Sequence, residues 1–347
     1  MELSIASRTG AAASRTHAEA PRLTLVTPCF NEEAALPATA EKLVDLLIEL
    51  KTSGLIAQDS RLCMVDDGSL DDTWQIIRSL SEARPECCGI RLSRNFGHQK
   101  ALLAGLLSAP GDALISLDAD LQDDPTVIRE MLSAYHGGVD IVYGVREDRS
   151  ADSWWKRAPA EAYYKLLRAI GIKIVHNHAD YRLMSRRAVE SLRDYREVNL
   201  FLRGLVSDLG FPHAVVAYAR RARAAGETKY PLRRMLALAV DGITSFSAAP
   251  LRFISLLGLV IFTGSLFVSA WALWVRLFTD DAVPGWASSV LPIYFLGGIQ
   301  LLSIAIVGEY VAKIYLETKA RPRFLVQESC GMHADSSTVS RSGPVDP

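Results

Sequence analysis

Two long apolar runs in the C-terminal part, Leu251 to Val275 and Ser288 to Val311, constrain this chain more than any other feature. The first is interrupted only by Arg252 at its start, and the second carries no charge before Glu309. A helix of about 20 apolar residues crosses the hydrocarbon layer of a bilayer, so each run is long enough to span. A pair of helices buried in a large soluble core is the alternative, and runs this long and this apolar fit it poorly. Trp271, Trp274, Trp286 and Tyr294 lie near the run ends, where interfacial aromatics collect. Arg233, Arg234 and Arg252 precede the first run, and Lys313, Lys319, Arg321 and Arg323 follow the second; between the runs Arg276 faces Asp280 and Asp281. The positive-inside bias puts both flanks in the cytoplasm. The expectation is a first span over 251–275, an external loop over 276–287, a second span over 288–312 and a cytoplasmic tail over 313–347. That tail turns Ser-, Gly- and Asp-rich from about Ser329 and reads there as disordered.

Ahead of the spans the pattern changes. Residues 1–20 are rich in Ala, Ser, Thr and Arg without an apolar stretch and read as a disordered tail, not a signal peptide. From Leu23 to Tyr143, short apolar runs alternate with helical spacing. Strands are expected at Leu23–Thr27, Leu62–Val65, Ile90–Leu92, Ala113–Leu117 and Asp140–Tyr143. Helices are expected at Leu36–Leu50, Asp71–Leu80, Lys100–Leu107 and Pro125–Tyr135. This alternation argues for an α/β domain with a mostly parallel sheet, over 21–230. Residues 153–195 read as mostly helical with a polar break at His176–Asp180; His176 and His178 lack further ligands at zinc spacing. Residues 231–250 read as an amphipathic helix lying at the membrane interface. A net charge of −1 gives no pull toward nucleic acid, and five cysteines without a C-x-x-C pair suit a reducing compartment.

Polar motifs follow three of the expected strands: Pro28 to Glu33, Asp66 to Ser69 and Asp118 to Gln122. In open α/β sheets ligands bind beyond the carboxyl ends of strands, so three such motifs predict one site. The third carries four carboxylates within seven residues, Asp118, Asp120, Asp123 and Asp124. Alternation at a strand end points Asp118 and Asp120 the same way. Carboxylates this close repel unless a cation lies among them, and hard cations such as Mg2+ or Mn2+ take oxygen ligands. Asp124-Pro125 has the form of a helix start, which makes Asp123 and Asp124 structural. Neither a G-x-G-x-x-G nor a G-x-x-x-x-G-K-[ST] loop is present, which removes the dinucleotide and P-loop readings.

Taken in order, Thr27-Pro-Cys-Phe-Asn-Glu-Glu33, Val65-Asp-Asp-Gly-Ser-Leu-Asp-Asp-Thr73, Leu92-Ser-Arg-Asn-Phe-Gly-His-Gln99 and Asp118-Ala-Asp-Leu-Gln122 resemble glycosyltransferase family 2. Tyr143-Gly-Val-Arg146, Asp180-Tyr-Arg-Leu-Met184, Phe201-Leu-Arg-Gly-Leu205 and Gly226-Glu-Thr-Lys-Tyr230 continue the resemblance, from about residue 22 to 325. It is to the polyprenyl-phosphate branch, which holds the bactoprenol glucosyltransferases and dolichyl-phosphate mannose synthases. The resemblance implies a GT-A fold, a nucleotide-sugar donor, Mg2+ or Mn2+, a polyprenyl phosphate acceptor, an inner-membrane location and a homotetramer. It implies donor binding by Pro28, Phe30, Asn31, Glu32, Asp66, Asp67, Gly68 and Asp118. Metal binding falls to Asp120 and Gln122, with Asp118 nearby. Arg146, Arg182, Arg220, Arg223 and Lys229 form a cationic set; Arg220, Arg223 and Lys229 are expected on the lipid phosphate, and Asp118, Asp120, Arg146, Arg182, Arg223 and Lys229 at the chemistry. His98 lies in a family motif and reads equally well as structural.

The implied reaction is inverting hexose transfer to undecaprenyl phosphate, with UDP-glucose the expected donor and UDP-N-acetylhexosamine, UDP-aminoarabinose and GDP-mannose left open. A phosphate monoester with a second pKa near 6 is already an anionic nucleophile at neutral pH, so no general base is required. Two other readings stand beside it: a membrane-anchored transferase with a soluble or different lipid acceptor, and a non-catalytic membrane scaffold. A processive polysaccharide synthase is excluded, because Gln75-Ile-Ile-Arg78 is followed by Ser79 where such enzymes carry Trp.

Overall fold

A computed structural model describes residues 20–120, 123–146, 178–198, 200, 202–218, 249–278 and 286–332. The chain divides into two compact units, one of Met1–Trp154, Val175–Glu227 and Pro322–Pro347, the other of Trp155–Ile174 and Thr228–Arg321.

The first unit is a three-layer α/β domain. Its eight strands are β1 (Leu23–Cys29), β2 (Arg61–Asp66), β3 (Cys87–Leu92), β4 (Ala113–Ser116), β5 (Ile141–Arg146), β6 (His178–Ser185), β7 (His213–Tyr218) and β8 (Val326–Cys330). They form one sheet in the order β7-β5-β6-β4-β1-β2-β3-β8. β4, β1, β2 and β3 run parallel, as do β5 and β7; β6 and β8 are antiparallel to their neighbours. This is the GT-A type arrangement, with a mostly parallel sheet. The central strands are buried on both faces, which is why they read as continuous apolar runs rather than alternating ones.

Helices α1 (Leu36–Thr52), α2 (Thr73–Ala83), α3 (His98–Ser108), α4 (Ile128–His136), α5 (Arg186–Ser191) and α6 (Leu202–Asp208) cover the two faces. One core holds Leu25, Leu43, Leu47, Met64, Ile115 and Met131 beneath α1, α2 and α4. The other holds Val26, Val65, Leu103, Leu106, Ile141 and Val189 beneath α3 and α5. Pro125–Val127 is a short 3-10 turn ahead of α4, and the Asp124 carboxylate caps it by accepting from the Thr126 amide at 3.1 Å. All five cysteines are free thiols.

Three expectations need correction. The region expected as mostly helical, 153–195, contains β6, which begins inside the expected polar break at His178, runs to Ser185 and lies between β4 and β5; tertiary pairing there overrides the local pattern. β7 went unpredicted because only two of its six residues are buried. Ser329 and Cys330, expected in a disordered tail, lie in β8, where Glu328 receives the Trp74 indole N–H at 3.2 Å and pairs with Arg78. A short strand with one partner and a polar, half-exposed face leaves almost no periodic trace.

The second unit contains α7 (Ala249–Phe278) and α8 (Trp286–Thr318), which contact each other. Both outrun the expected spans, taking in Arg276–Phe278, Trp286 and Ala287 from the expected external loop. Within the described residues, one stretch, Ile299–Thr318, has the length and composition to cross a membrane, and none of it is buried. The expected interfacial helix lies outside the described residues except Ala249 and Pro250, which begin α7.

Candidate active site

Four adjacent parallel strands bring their carboxyl ends to one rim of the sheet, and the four segments that follow them carry the polar motifs. Those after β1 and β2 are laced together. The Asn31 amide donates to Ser69 Oγ at 3.0 Å, and the Leu70 amide donates to Asn31 Oδ1 at 2.9 Å. The Glu32 amide donates to Thr73 Oγ1 at 2.9 Å, and the Glu33 amide to Asp71 Oδ2 at 3.2 Å. Asn31 adopts a left-handed conformation with φ of 54°, which Asn tolerates better than other non-glycine residues. The result is an open cleft of about 510 Å³ lined by Asn31, Glu32, Glu33, Ala34, Ala35, Leu70 and Asp71. Phe30 beside it is 43% exposed, while Pro28 is buried in β1.

Asp66 and Asp67 have a different surrounding from the one expected. Asp66 is fully buried; its Oδ1 accepts from the Ser69 amide at 2.9 Å, and its Oδ2 lies 3.3 Å from Arg91 Nε. Asp67 accepts from the amides of Phe96 and Gly97 at 2.7 and 2.8 Å. Burial raises the Asp67 pKa, and those two N–H donors and His98 pull against it. Both carboxylates therefore hold the segments after β2 and β3 in place. Gly68 makes this close approach feasible: its φ is +69°, and a Cβ there would fall 2.5 Å from the Arg94 carbonyl carbon.

After β4 the backbone is pinned by Thr39 of α1, whose hydroxyl donates to the Ala119 carbonyl at 2.8 Å. Asp120 is exposed. Asp118 is half-buried, and its Oδ1 makes no hydrogen bond. Burial raises the Asp118 pKa, His98 opposes this, and Asp180, Asp123 and Asp120 reinforce it. Burial, Asp120 and Asp71 together raise the Glu32 pKa, which brings the cleft and the Asp118–Asp120 segment into one electrostatic environment. A buried carboxylate oxygen without a donor, among further carboxylates, fits a hard divalent cation. Gln122, the other expected ligand, lies outside the described residues. Among the described residues no cluster of three or more His, Cys, Asp or Glu side chains is already closed around a cation position. Asp123 accepts from the Tyr218 hydroxyl at 2.5 Å, a structural bond, as expected.

Sequence reasoning did not assign a role to Asp180, and it is the best-connected carboxylate of the site. It receives Arg182 Nη2 at 2.6 Å and a two-pronged contact from Arg203, Nε at 3.1 Å and Nη2 at 3.0 Å. Burial alone would raise its pKa; His98, Arg182 and Arg203 outweigh that and hold it well below the usual carboxylate range. Arg182, expected on a substrate phosphate, is fully buried within β6 and holds Asp180 instead, while its Nε and Nη1 make no hydrogen bond. Asp180 and Arg203 were visible only as members of motifs; 62 residues separate Asp180 from Asp118, and spacing carries no hint that they meet. Arg146 closes β5, and Arg220, Arg223 and Lys229 lie outside the described residues.

A model of glycosyl transferase family 2 matches residues 24–193. The chain is 48% identical to the uncharacterized glycosyltransferase YkoT of Bacillus subtilis (strain 168), over 88% of this chain and 91% of that protein. It is similar to the bactoprenol glucosyl transferase of Shigella phage SfX, with 41% identity over 88% of this chain and 99% of that one. A prophage bactoprenol glucosyl transferase homolog of Escherichia coli (strain K12) is 40% identical over 88% of this chain and 98% of its own length. With that likeness running through nearly the whole of each relative, and with the motif-bearing segments gathered on one rim, the chain belongs to glycosyl transferase family 2 and is a glycosyltransferase.

Proposed function

We propose that this enzyme transfers a hexose, glucose as the first candidate, from a nucleotide sugar to a polyprenyl phosphate at the cytoplasmic face of the membrane, with inversion at the anomeric carbon. The observation that carries the reading is the carboxylate rim, Asp118 and Asp120 at the end of β4 beside the Asn31–Glu33 cleft. The acceptor is inferred from the named relatives, which match along 98–99% of their length. In this reading α7 and α8 form a membrane hairpin that delivers the lipid phosphate to the domain, a proximity effect.

The chain's own residues do the following. Phe30 flanks the base, and Asn31 and Glu32 present polar groups to it from the rigid cleft. Asp118 and Asp120, with Gln122, hold a divalent cation. That cation, Mg2+ or Mn2+, would supply positive charge to the departing nucleoside diphosphate. Arg146, Arg223 and Lys229 are assigned to the two anions that meet in the site, with Arg220 at the lipid phosphate; guanidinium forks suit phosphate oxygens. The lipid phosphate arrives already ionised and attacks without a base, so the enzyme's main task is to offset repulsion between two anions.

The test is a panel of radiolabelled nucleotide sugars offered to membranes carrying the full chain, with undecaprenyl phosphate or soluble sugars as acceptors, with and without Mg2+ or Mn2+. Label in extractable lipid, dependent on the cation, is expected. Label confined to soluble products, or no transfer with any donor, overturns the proposal.

A further inference from the structure

We propose that His98 is a positioning residue whose imidazole stands between Asp118 and Asp180 and fixes the orientation of the Asp118 carboxylate toward the donor and its cation. This rests on the reading that the rim takes a nucleoside diphosphate with its cation. His98 Nε2 lies 3.5 Å from Asp118 Oδ1 and 3.6 Å from Asp180 Oδ2. One nitrogen is thus equidistant from two carboxylates that reach the site from β4 and β6, and it is the only group the structure shows bridging them among the described residues. The Asp118 oxygen it approaches is the one without a hydrogen bond. Asp180 is anchored by Arg182 and Arg203, so of the two carboxylates it is Asp118 whose orientation His98 can set, since neighbouring carboxylates repel unless a positive or N–H-bearing group faces them. The side chain is 45% exposed, so the imidazole is not there to fill the core.

The framework around His98 is built to hold it still. It is the first residue of α3, and the two amides before it are clamped by Asp67. Gln99, the next residue, accepts from the Leu202 amide at 3.0 Å and so ties α3 to α6. α6 carries Arg203, which grips Asp180 with two nitrogens. The segments after β2 and β3, α6 and β6 therefore converge on one imidazole. Asp67 acts through it too: its carboxylate positions the turn that presents His98.

The experiment uses the purified full chain in detergent and reads binding of Mn2+·UDP by calorimetry, with Mn2+·GDP in parallel, beside sugar transfer and thermal unfolding. His98→Leu removes the nitrogen; His98→Gln places an amide Nε2 at similar reach. Expected is a loss of about tenfold in Mn2+·UDP affinity for His98→Leu, the scale of one hydrogen bond to a charged group. His98→Gln is expected within about threefold of the unmodified chain. In an Asp180→Asn background, His98→Leu should cost clearly less than it does alone, because the two act as a unit. Should His98→Leu fail to fold, His98→Asn replaces it, with an amide too short to reach and the same expected loss. Unchanged affinity in His98→Leu, equal losses in the Gln and Leu variants, or independent effects of His98 and Asp180 overturn the inference. A wild-type chain that binds Mn2+·UDP or Mn2+·GDP yet labels no lipid sinks the proposed reaction alone and leaves the binding series to judge His98. A wild-type chain that binds neither overturns both.

Discussion

Gly68→Ala is the most informative single substitution, because its cost can be worked out from two separate terms. A left-handed backbone costs an L residue about 1–2 kcal/mol, and Gly68 has φ of +69°. The added methyl would also lie 2.5, 2.7 and 2.8 Å from the Arg94 carbonyl carbon, the Asn95 nitrogen and the Arg94 Cα. These are backbone atoms and cannot rotate away, so the segment must shift, at roughly 1–3 kcal/mol for overpacking. The sum is about 2–5 kcal/mol, or roughly 5–15 °C in Tm for a domain of this size. Gly54→Ala is the matched control: φ is again +69°, and nothing lies within 4 Å of the added carbon, so only the conformational term applies. Thermal unfolding of the full chain followed by circular dichroism measures both, and transfer assays on the same samples report whether the displaced 94–97 segment also carries His98 away from Asp118. A Gly68→Ala protein no less stable than Gly54→Ala would show that the two segments do not pack as described.

Asp120→Ala should lower sugar transfer by about two to three orders of magnitude, the usual scale for a lost electrostatic group; EDTA should abolish transfer by the wild-type protein, with recovery on adding Mn2+ or Mg2+. Near-normal turnover of the variant removes Asp120 from the metal assignment. Asp180→Asn should destabilise the fold near neutral pH and matter progressively less in acid. The native carboxyl is held below its unfolded value of about 3.9, so its contribution is complete above that pH and disappears as pH falls through the native value. Chemical unfolding of both proteins at pH 6 and pH 3 checks this, and a constant difference between them contradicts the ion cluster. Glu328→Ala removes the partner of the Trp74 indole and of Arg78, and should cost about 1 kcal/mol with transfer kinetics unchanged; a kinetic defect would tie β8 to the active site.

The parallel core was legible because each of its strands is a short, doubly buried apolar run ending in polar residues, and β1 to β4 fall where periodicity puts them. The site's location followed from three motifs at strand ends. What those motifs do individually was not legible. Asp66 and Asp67 look alike as neighbouring acids, yet Asp66 pairs with the Ser69 amide and Arg91 while Asp67 holds the amides of Phe96 and Gly97, 29 and 30 residues later, which no local pattern encodes. Arg182 reads as a free cation in sequence and is sealed inside β6. His98 was ambiguous because its meaning depends on two carboxylates, 20 and 82 residues away, that arrive through β4 and β6. Edge strands such as β7 and β8, with few buried positions, left no signal to read.

The eighth strand has a practical bearing on any attempt to isolate the sheet domain. Polypeptide that departs for α7 and α8 comes back at Pro322, and Val326–Cys330 is zipped along the outer border of β3. A fragment stopped ahead of the apolar helices would forfeit that strip and leave β3 with bare amides and carbonyls, an invitation to self-association. Removing the greasy excursion while splicing residues 322–332 back in through a flexible linker is the version expected to stay soluble.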